Sequence, residues 1–199
     1  MRKELLFIIS TLLLILSAIP ASAQRLAVST NAVEWADLVT FNAEAGLAVG
    51  QHFSVHAGVK VNPWVYRASK PEARFDDPNG DYERQFQRKK QSYDVSIRWW
   101  PWYVYSGWWV DGGVQYMEYD FGGVSNRARE AGDAYGVSLA AGYTYMLNRN
   151  WNLDFGAGLW GGYKTYGTYR CTNCGRPVEK GEKPFILPNY LTLAVMYVF

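Results

Sequence analysis

The sequence predicts an all-β fold, an eight-stranded antiparallel up-and-down transmembrane β-barrel, and three observations carry that expectation. Apolar and polar residues alternate with a period of two along most of the chain. Tight turns alternate with long polar connections. Large aromatics are dense, 17% of 199 residues, and seven of the twelve residues in Arg98–Trp109 (RWWPWYVYSGWW) are Trp or Tyr.

Residues 1–23 read as a secretory signal peptide. Arg2 and Lys3 supply the positive start, Leu5 to Ile19 is almost wholly apolar, and Ala21-Ser22-Ala23 is a small-x-small cleavage pattern. The apolar run is short for a membrane anchor, and no Cys follows it to carry a lipid. Cleavage leaves one domain, residues 24–199. The formal net charge of +2 is nearly balanced. It excludes a polybasic nucleic-acid binder, so no nucleic-acid partner is expected.

The strands follow in order. Leu26–Glu34 is a weak first strand. Val39–Val49 alternates Val39, Phe41, Ala43, Ala45, Leu47 and Val49 against Thr40, Asn42, Glu44, Gly46 and Ala48. Gly50-Gln51-His52 turns the chain into Phe53–Val61, with Val55, Ala57 and Val59 against Ser54, His56, Gly58 and Lys60. Ser92–Trp100, the weaker Trp108–Asp120, Tyr135–Leu147, Trp151–Tyr163 and Tyr190–Phe199 complete eight segments. Most are ~10 residues, the length that crosses a bilayer when tilted. Asn148-Arg149-Asn150 is a second tight turn, whereas Arg67–Lys90, Gly122–Asp133 and Tyr169–Pro188 are long polar loops. An even strand count with short turns at one end and long loops at the other is the layout of an outer-membrane barrel.

Periodicity alone does not say which face is outside. A soluble barrel of the lipocalin type would be polar outside, and a membrane barrel inverts this. RWWPWYVYSGWW turns at Pro101 and Gly107 on the short-turn side. Indole and phenol rings are most stable where hydrocarbon meets water, so Trp99, Trp100, Trp102, Tyr103, Tyr105, Trp108 and Trp109, with Tyr145, Trp151, Tyr197 and Phe199, read as one aromatic girdle. Trp35, Trp64, Tyr66, Tyr116, Tyr119, Trp160, Tyr163 and Tyr166 are candidates for a second. Sugar stacking and a hairpin core are the rival readings of the same cluster. Counting back by twos from Phe199 gives Tyr197, Val195, Leu193 and Leu191. A terminal aromatic on an apolar alternation resembles the signal by which outer-membrane barrels engage their insertion machinery, the first partner expected.

On these residues, and on LAVSTNAVEW, SYDVSIRWW, MEYDFGG and NWNLDFGAGLWGGYK, the chain resembles a family of small eight-stranded outer-membrane barrels of Bacteroides-type bacteria. Its topology is similar to the transmembrane domain of outer membrane protein A. The resemblance covers roughly Leu26 to Phe199. It implies the outer membrane of a Gram-negative bacterium and, because such genes often neighbour fimbrial ones, a part in surface-appendage biogenesis. It carries no catalytic motif.

The polar face holds few charges: Glu44, Lys60, Asp94, Arg98, Asp111, Asp154 and Lys164, with His56. Side chains just fill an eight-stranded barrel, so these groups are expected to pair as a plugging network; a gated path for small ions is the alternative. Of the two histidines, His52 sits in a tight turn and His56 close to it, leaving a lipid-modifying enzyme at the outer rim without a general base. No catalytic site, metal site or cofactor is expected.

Cys171-Thr172-Asn173-Cys174 lies in the last long loop. With no further Cys to complete a zinc site, an exported chain favours a Cys171–Cys174 disulfide; a redox-active pair and a metal shared with a partner are the alternatives. Arg67–Lys90 carries seven Lys/Arg and five Asp/Glu in 24 residues. Arg88, Lys89 and Lys90 at its base are the candidate contacts for membrane lipid and lipopolysaccharide phosphates, a plain solvated loop being the alternative. The function expected is non-enzymatic, with surface loops contacting the envelope or a protein partner. Porin-like transport of small solutes is the second reading.

Overall fold

The computed structural model describes residues 26–67, 85–122, 129–169 and 177–199. They form β1 (Leu26–Asn31), α1 (Ala32–Ala36), β2 (Phe41–Ala48), β3 (Phe53–Asn62), β4 (Val65–Arg67), β5 (Gln85–Trp99), β6 (Gly107–Gly122), β7 (Arg129–Met146), β8 (Trp151–Tyr169) and β9 (Glu179–Val198). Among the described residues, eight strands wall a closed antiparallel barrel in the order β3-β2-β1-β9-β8-β7-β6-β5, and β3 pairs with β5 to close the ring. The short β4 prolongs β3: Asn62 pairs with Lys90 and Val65 with Gln87 in one register, broken where Pro63 has no N–H to donate.

The alternation resolves into an apolar outside and a polar inside. Val114, Val137, Leu139 and Leu159 stand outside, each more than half exposed, whereas Ser54, Ser92, Ser96, Arg98, Asp111 and Asp154 are buried. On the outside of β5 to β8, Tyr93, Tyr116, Tyr135 and Tyr163 form a row, each the register partner of the next. To one side of the row lie Val95, Val114 and Val137; to the other lie Gln91, Glu118 and Asp133. The wall therefore changes from apolar to polar within one step of the pleat.

Four features differ from the sequence expectation. The first strand stops at Asn31 rather than Glu34, because the Asn31 side chain accepts from Val33 N at 3.1 Å and caps α1. Much of the expected loops is strand: β5 starts at Gln85, β7 at Arg129 and β9 at Glu179, and β8 runs to Tyr169. In β9 the register with β8 shifts between Gly158 and Trp160, opposite Tyr190 and Leu187. The shift brackets Pro188, where a ladder donor is missing. Finally, not every aromatic of the expected girdles faces out. Trp99 and Trp108 are 45% and 57% exposed, but Trp100 and Trp109 are 0% and 1% exposed, and Tyr105, Tyr119 and Trp160 are also buried.

The inward aromatics close the short-turn end. The 100–106 segment folds into the barrel, with Tyr105 (φ 64°) and Gly107 (φ 77°) in left-handed conformations. Asn152 Nδ2 donates to the Tyr105 carbonyl at 2.9 Å. Trp100 and Tyr105 stack edge to face at 5.8 Å. The Trp109 ring occupies space that two glycines leave: a Cβ on Gly142 or Gly156 would lie 2.3 or 2.5 Å from its atoms. Thus RWWPWYVYSGWW is split, with Trp99, Trp102, Tyr103 and Trp108 outside and Trp100, Tyr105 and Trp109 forming a plug.

Candidate functional site: a filled lumen under a polar rim

Period-two geometry aims Glu44 (β2), His56 and Lys60 (β3), Asp94 and Arg98 (β5), Asp111 (β6), Asp154 and Lys164 (β8) inward, and most of them meet. Arg98 is the hub, 1% exposed. It donates from Nη1 to Asp154 Oδ2 at 2.8 Å and from Nε to Asp111 Oδ2 at 3.2 Å, and its Nη2 lies 3.6 Å from Glu44 Oε1. Its guanidinium lies 4.1 Å from the Trp109 ring centroid. Trp109 Nε1 and Thr144 Oγ1 donate to Asp154 Oδ1 at 2.6 and 2.9 Å, and Ser96 Oγ donates to Asp111 Oδ2 at 2.8 Å. Charges this deeply buried persist only when paired and hydrogen-bonded, and here the partners come from five walls of the barrel.

A side branch has a chemically suggestive order. Ser54 Oγ is 2.9 Å from His56 Nε2, and His56 Nδ1 is 2.7 Å from Glu44 Oε1. Serine, imidazole and carboxylate stand as nucleophile, base and orienting acid stand in a hydrolase. Their surroundings tie them into the plug. Ser54 is fully buried, and Trp100 Nε1 donates to its Oγ at 2.8 Å. The chain Trp100–Ser54–His56–Glu44 ties the aromatic plug to the Arg98 hub. Sequence reading missed it because Ser54 is one of several inward serines and nothing in the spacing marks it.

Lys60 and Lys164 do not join the hub. Lys164 Nζ pairs with Glu130 Oε1 at 2.7 Å, and Tyr119 OH donates to the same oxygen at 2.9 Å. Lys60 Nζ pairs with Glu34 Oε1 at 3.0 Å. Glu34 belongs to α1, and with Asp37 it forms a latch against β3 and β5. Lys90 Nζ reaches Glu34 Oε2 at 2.7 Å and Asp37 Oδ2 at 2.8 Å, and Arg88 Nη2 donates to Asp37 Oδ2 at 3.0 Å. Burial alone would raise the Glu34 carboxyl, but the charges of Lys60 and Lys90 outweigh it and hold the group below its ordinary range. Burial works the same way on Asp37 and is outweighed by Arg88 and Lys90.

The latch changes the reading of the basic triplet. Arg88 and Lys90 are on strand rather than loop, and they pair with Glu34 and Asp37, Lys90 largely buried and Arg88 partly exposed. Only Lys89 points outward, exposed beside a concave groove of about 450 Å³ on the outer wall, lined also by Val61, Gln91, Glu118, Asp120 and Arg129. Glu34 and Asp37 escaped the sequence reading because a strand was expected where α1 forms. Cys171 and Cys174 lie outside the described residues, as do residues 1–23.

Among the described residues, no group of three or more His, Cys, Asp or Glu side chains is placed to hold a metal ion. Comparison with known families gives one match, to the family described as "Protein of unknown function (DUF3575)", across residues 8–199. The chain belongs to that family. No curated protein matches it. What the DUF3575 chain presents, then, is a closed eight-stranded barrel whose lumen is filled from the aromatic plug through the Arg98 hub to the α1 latch. Its longest strands, β5 to β9, carry polar faces beyond the tyrosine row.

Proposed function

We propose that this protein is an integral barrel of a Gram-negative outer membrane, reached through a cleaved signal peptide, and that it acts without catalysis as a rigid base presenting its polar rim and loops. The observation that carries this reading is the orientation of the wall. Apolar residues face out, with Trp99, Trp108, Trp151 and Tyr197 along one margin and the row Tyr93, Tyr116, Tyr135 and Tyr163 along the other. The ten residue steps from Tyr145 back to Tyr135 span ~33 Å of strand, or ~25 Å of height at the usual tilt, the height of a membrane barrel's apolar band. A water-soluble barrel would expose this area to solvent at a large cost.

The filled lumen supports a structural or interaction role over solute transport, since Arg98 and its partners occupy the path. Outer-leaflet lipid and lipopolysaccharide are the nearest partners, met at the polar shelf of Lys89, Gln91 and Arg129. The insertion machinery would engage the strand whose outward residues include Leu191, Leu193, Val195 and Phe199. A protein partner on the rim, with a part in fimbrial or other appendage assembly, is the finer form of this proposal and rests on the family resemblance.

The experiment is a detergent gel of unheated and boiled outer-membrane fractions. A heat-dependent change in mobility is the expected result, and a soluble periplasmic protein with no change would overturn the membrane assignment. Deleting the gene and imaging the cell surface tests the appendage role, which an unchanged surface would remove. Planar-bilayer recording should give no steady conductance.

A further inference from the structure

One carboxylate in the middle of the lumen has an oxygen with no hydrogen-bond partner. Asp94 is 6% exposed, and its Oδ1 makes no hydrogen bond although it is buried. Its cross-strand neighbour Gly58 leaves it space, since a Cβ there would lie 2.6 Å from both carboxylate oxygens. The nearby cations are shared: Lys60, whose charge also acts on Asp94 from the same cavity, pairs with Glu34, Lys90 pairs with Glu34 and Asp37, and Arg98 pairs with Asp111 and Asp154. The carboxylates Glu34, Asp37, Glu44, Asp94, Asp111 and Asp154 thus share the permanent cations Lys60, Arg88, Lys90 and Arg98.

Beside Asp94 lies a cavity of about 40 Å³, lined by Asp94 together with Ser29, Asn42, Lys60 and Thr192 among others. That volume holds roughly three water-sized positions. An isolated buried carboxylate is costly unless it is neutralised or finds a counter-charge, and here the oxygen-bearing side chains and the space for a counter-charge are both present. We infer that Asp94 binds a small monovalent cation, Na⁺ or K⁺, held in this cavity with water and with the oxygens of Ser29, Asn42 and Thr192. A divalent ion of the calcium type draws on several carboxylates in one shell, and the other two carboxylates that line this cavity, Glu44 and Asp154, are already paired with His56 and Arg98. The cation completes the charge balance of the plug.

The test uses the folded, detergent-solubilised protein at neutral pH. Its thermal unfolding is measured in NaCl, KCl and N-methylglucamine chloride at equal ionic strength. Binding to the folded state alone raises the midpoint with the logarithm of free cation. The expected result is a midpoint that climbs with Na⁺ or K⁺ and stays flat with N-methylglucamine, which is too large for the cavity. Asp94→Asn, isosteric and uncharged, should fold and lose this dependence. Crystals soaked in Tl⁺ should show an anomalous peak in the cavity. Equal midpoints in all three salts, a cation dependence that survives in Asp94→Asn, or an empty cavity in the Tl⁺ crystals would each overturn the inference. None of these readouts depends on what binds the rim.

Discussion

Arg98 Nη1 lies 2.8 Å from Asp154 Oδ2, and because Arg98 is on β5 and Asp154 on β8, this single bond crosses the lumen. Asp111, on the intervening β6, takes the same guanidinium at 3.2 Å. The barrel is therefore braced internally as well as by its closed ladder. Arg98→Ala removes one cation and strands two carboxylates that are 0% and 1% exposed. The expected loss is about 3–5 kcal/mol in urea unfolding. The triple change Arg98→Leu, Asp111→Asn and Asp154→Asn should cost less than Arg98→Ala alone, since the two carboxylates that lose their cation are removed with it. A single variant with wild-type stability would mean the network is not a brace.

The slots for Trp109 give a sharper contrast. Gly156→Ala would place a methyl 2.5 Å from the indole, whereas nothing lies within 4 Å of a Cβ on Gly112, which faces outward. Gly156→Ala should destabilise by about 1–3 kcal/mol through overpacking, and Gly112→Ala should be neutral within the error of the same unfolding curve. Equal effects would show that the indole does not fill that space in solution.

How much of this was legible in the sequence depended on where the period of two held. It held through β2, β3 and the apolar parts of β5, β7 and β8, so the barrel could be read from alternation, and the inward set Glu44, Asp94, Arg98, Asp111 and Asp154 once the aromatic cluster and the terminal Phe199 had set which face is outside. It failed where a different force set the structure. Asn31 caps a helix in the middle of an apolar alternation. Near Pro188 the register slips by one, so Ile186 faces out where the parity counted from Phe199 would turn it in. The strand ends beyond the tyrosine row read as loops because both of their faces are polar. The aromatic cluster misled in a different way. Trp99 and Trp100 are neighbours in the chain, and one residue of parity decides between outer wall and lumen.

That parity is measurable. In single-tryptophan variants reconstituted into bilayers, Trp99 and Trp108 should be quenched strongly by brominated acyl chains, and Trp100 and Trp109 only weakly. Trp100→Ala should cost about 3–5 kcal/mol, the range for a large buried aromatic, because it also removes the donor to Ser54. Trp99→Ala leaves a gap on the outer wall and should cost clearly less. Uniform quenching of all four would contradict the division of RWWPWYVYSGWW between wall and plug.

The α1 latch should respond to acid, and its sign follows from the carboxylates. Glu34 and Asp37 are both held below their ordinary values in the folded protein, by Lys60, Lys90 and Arg88 acting against burial. A group depressed on folding adds stability that is fully present above its unfolded value, 4.5 for Glu34 and 3.8 for Asp37, and is lost as pH falls through the folded value. The latch should accordingly be intact at neutral pH and begin to open only as pH falls below that carboxylate range, while the barrel ladder persists. Hydrogen exchange at Asp37, Leu38, Val39 and Thr40, whose amides bond back to residues 33–36, reads it directly. Protection there should fall in acid before that of β7 and β8. Lys90→Met removes the cation that bridges both carboxylates, so its exchange at neutral pH should already resemble that of the wild type in acid. Unchanged protection in Lys90→Met would show that α1 is held by its aromatic contacts, Trp35 with Phe41 at 5.4 Å, rather than by charge.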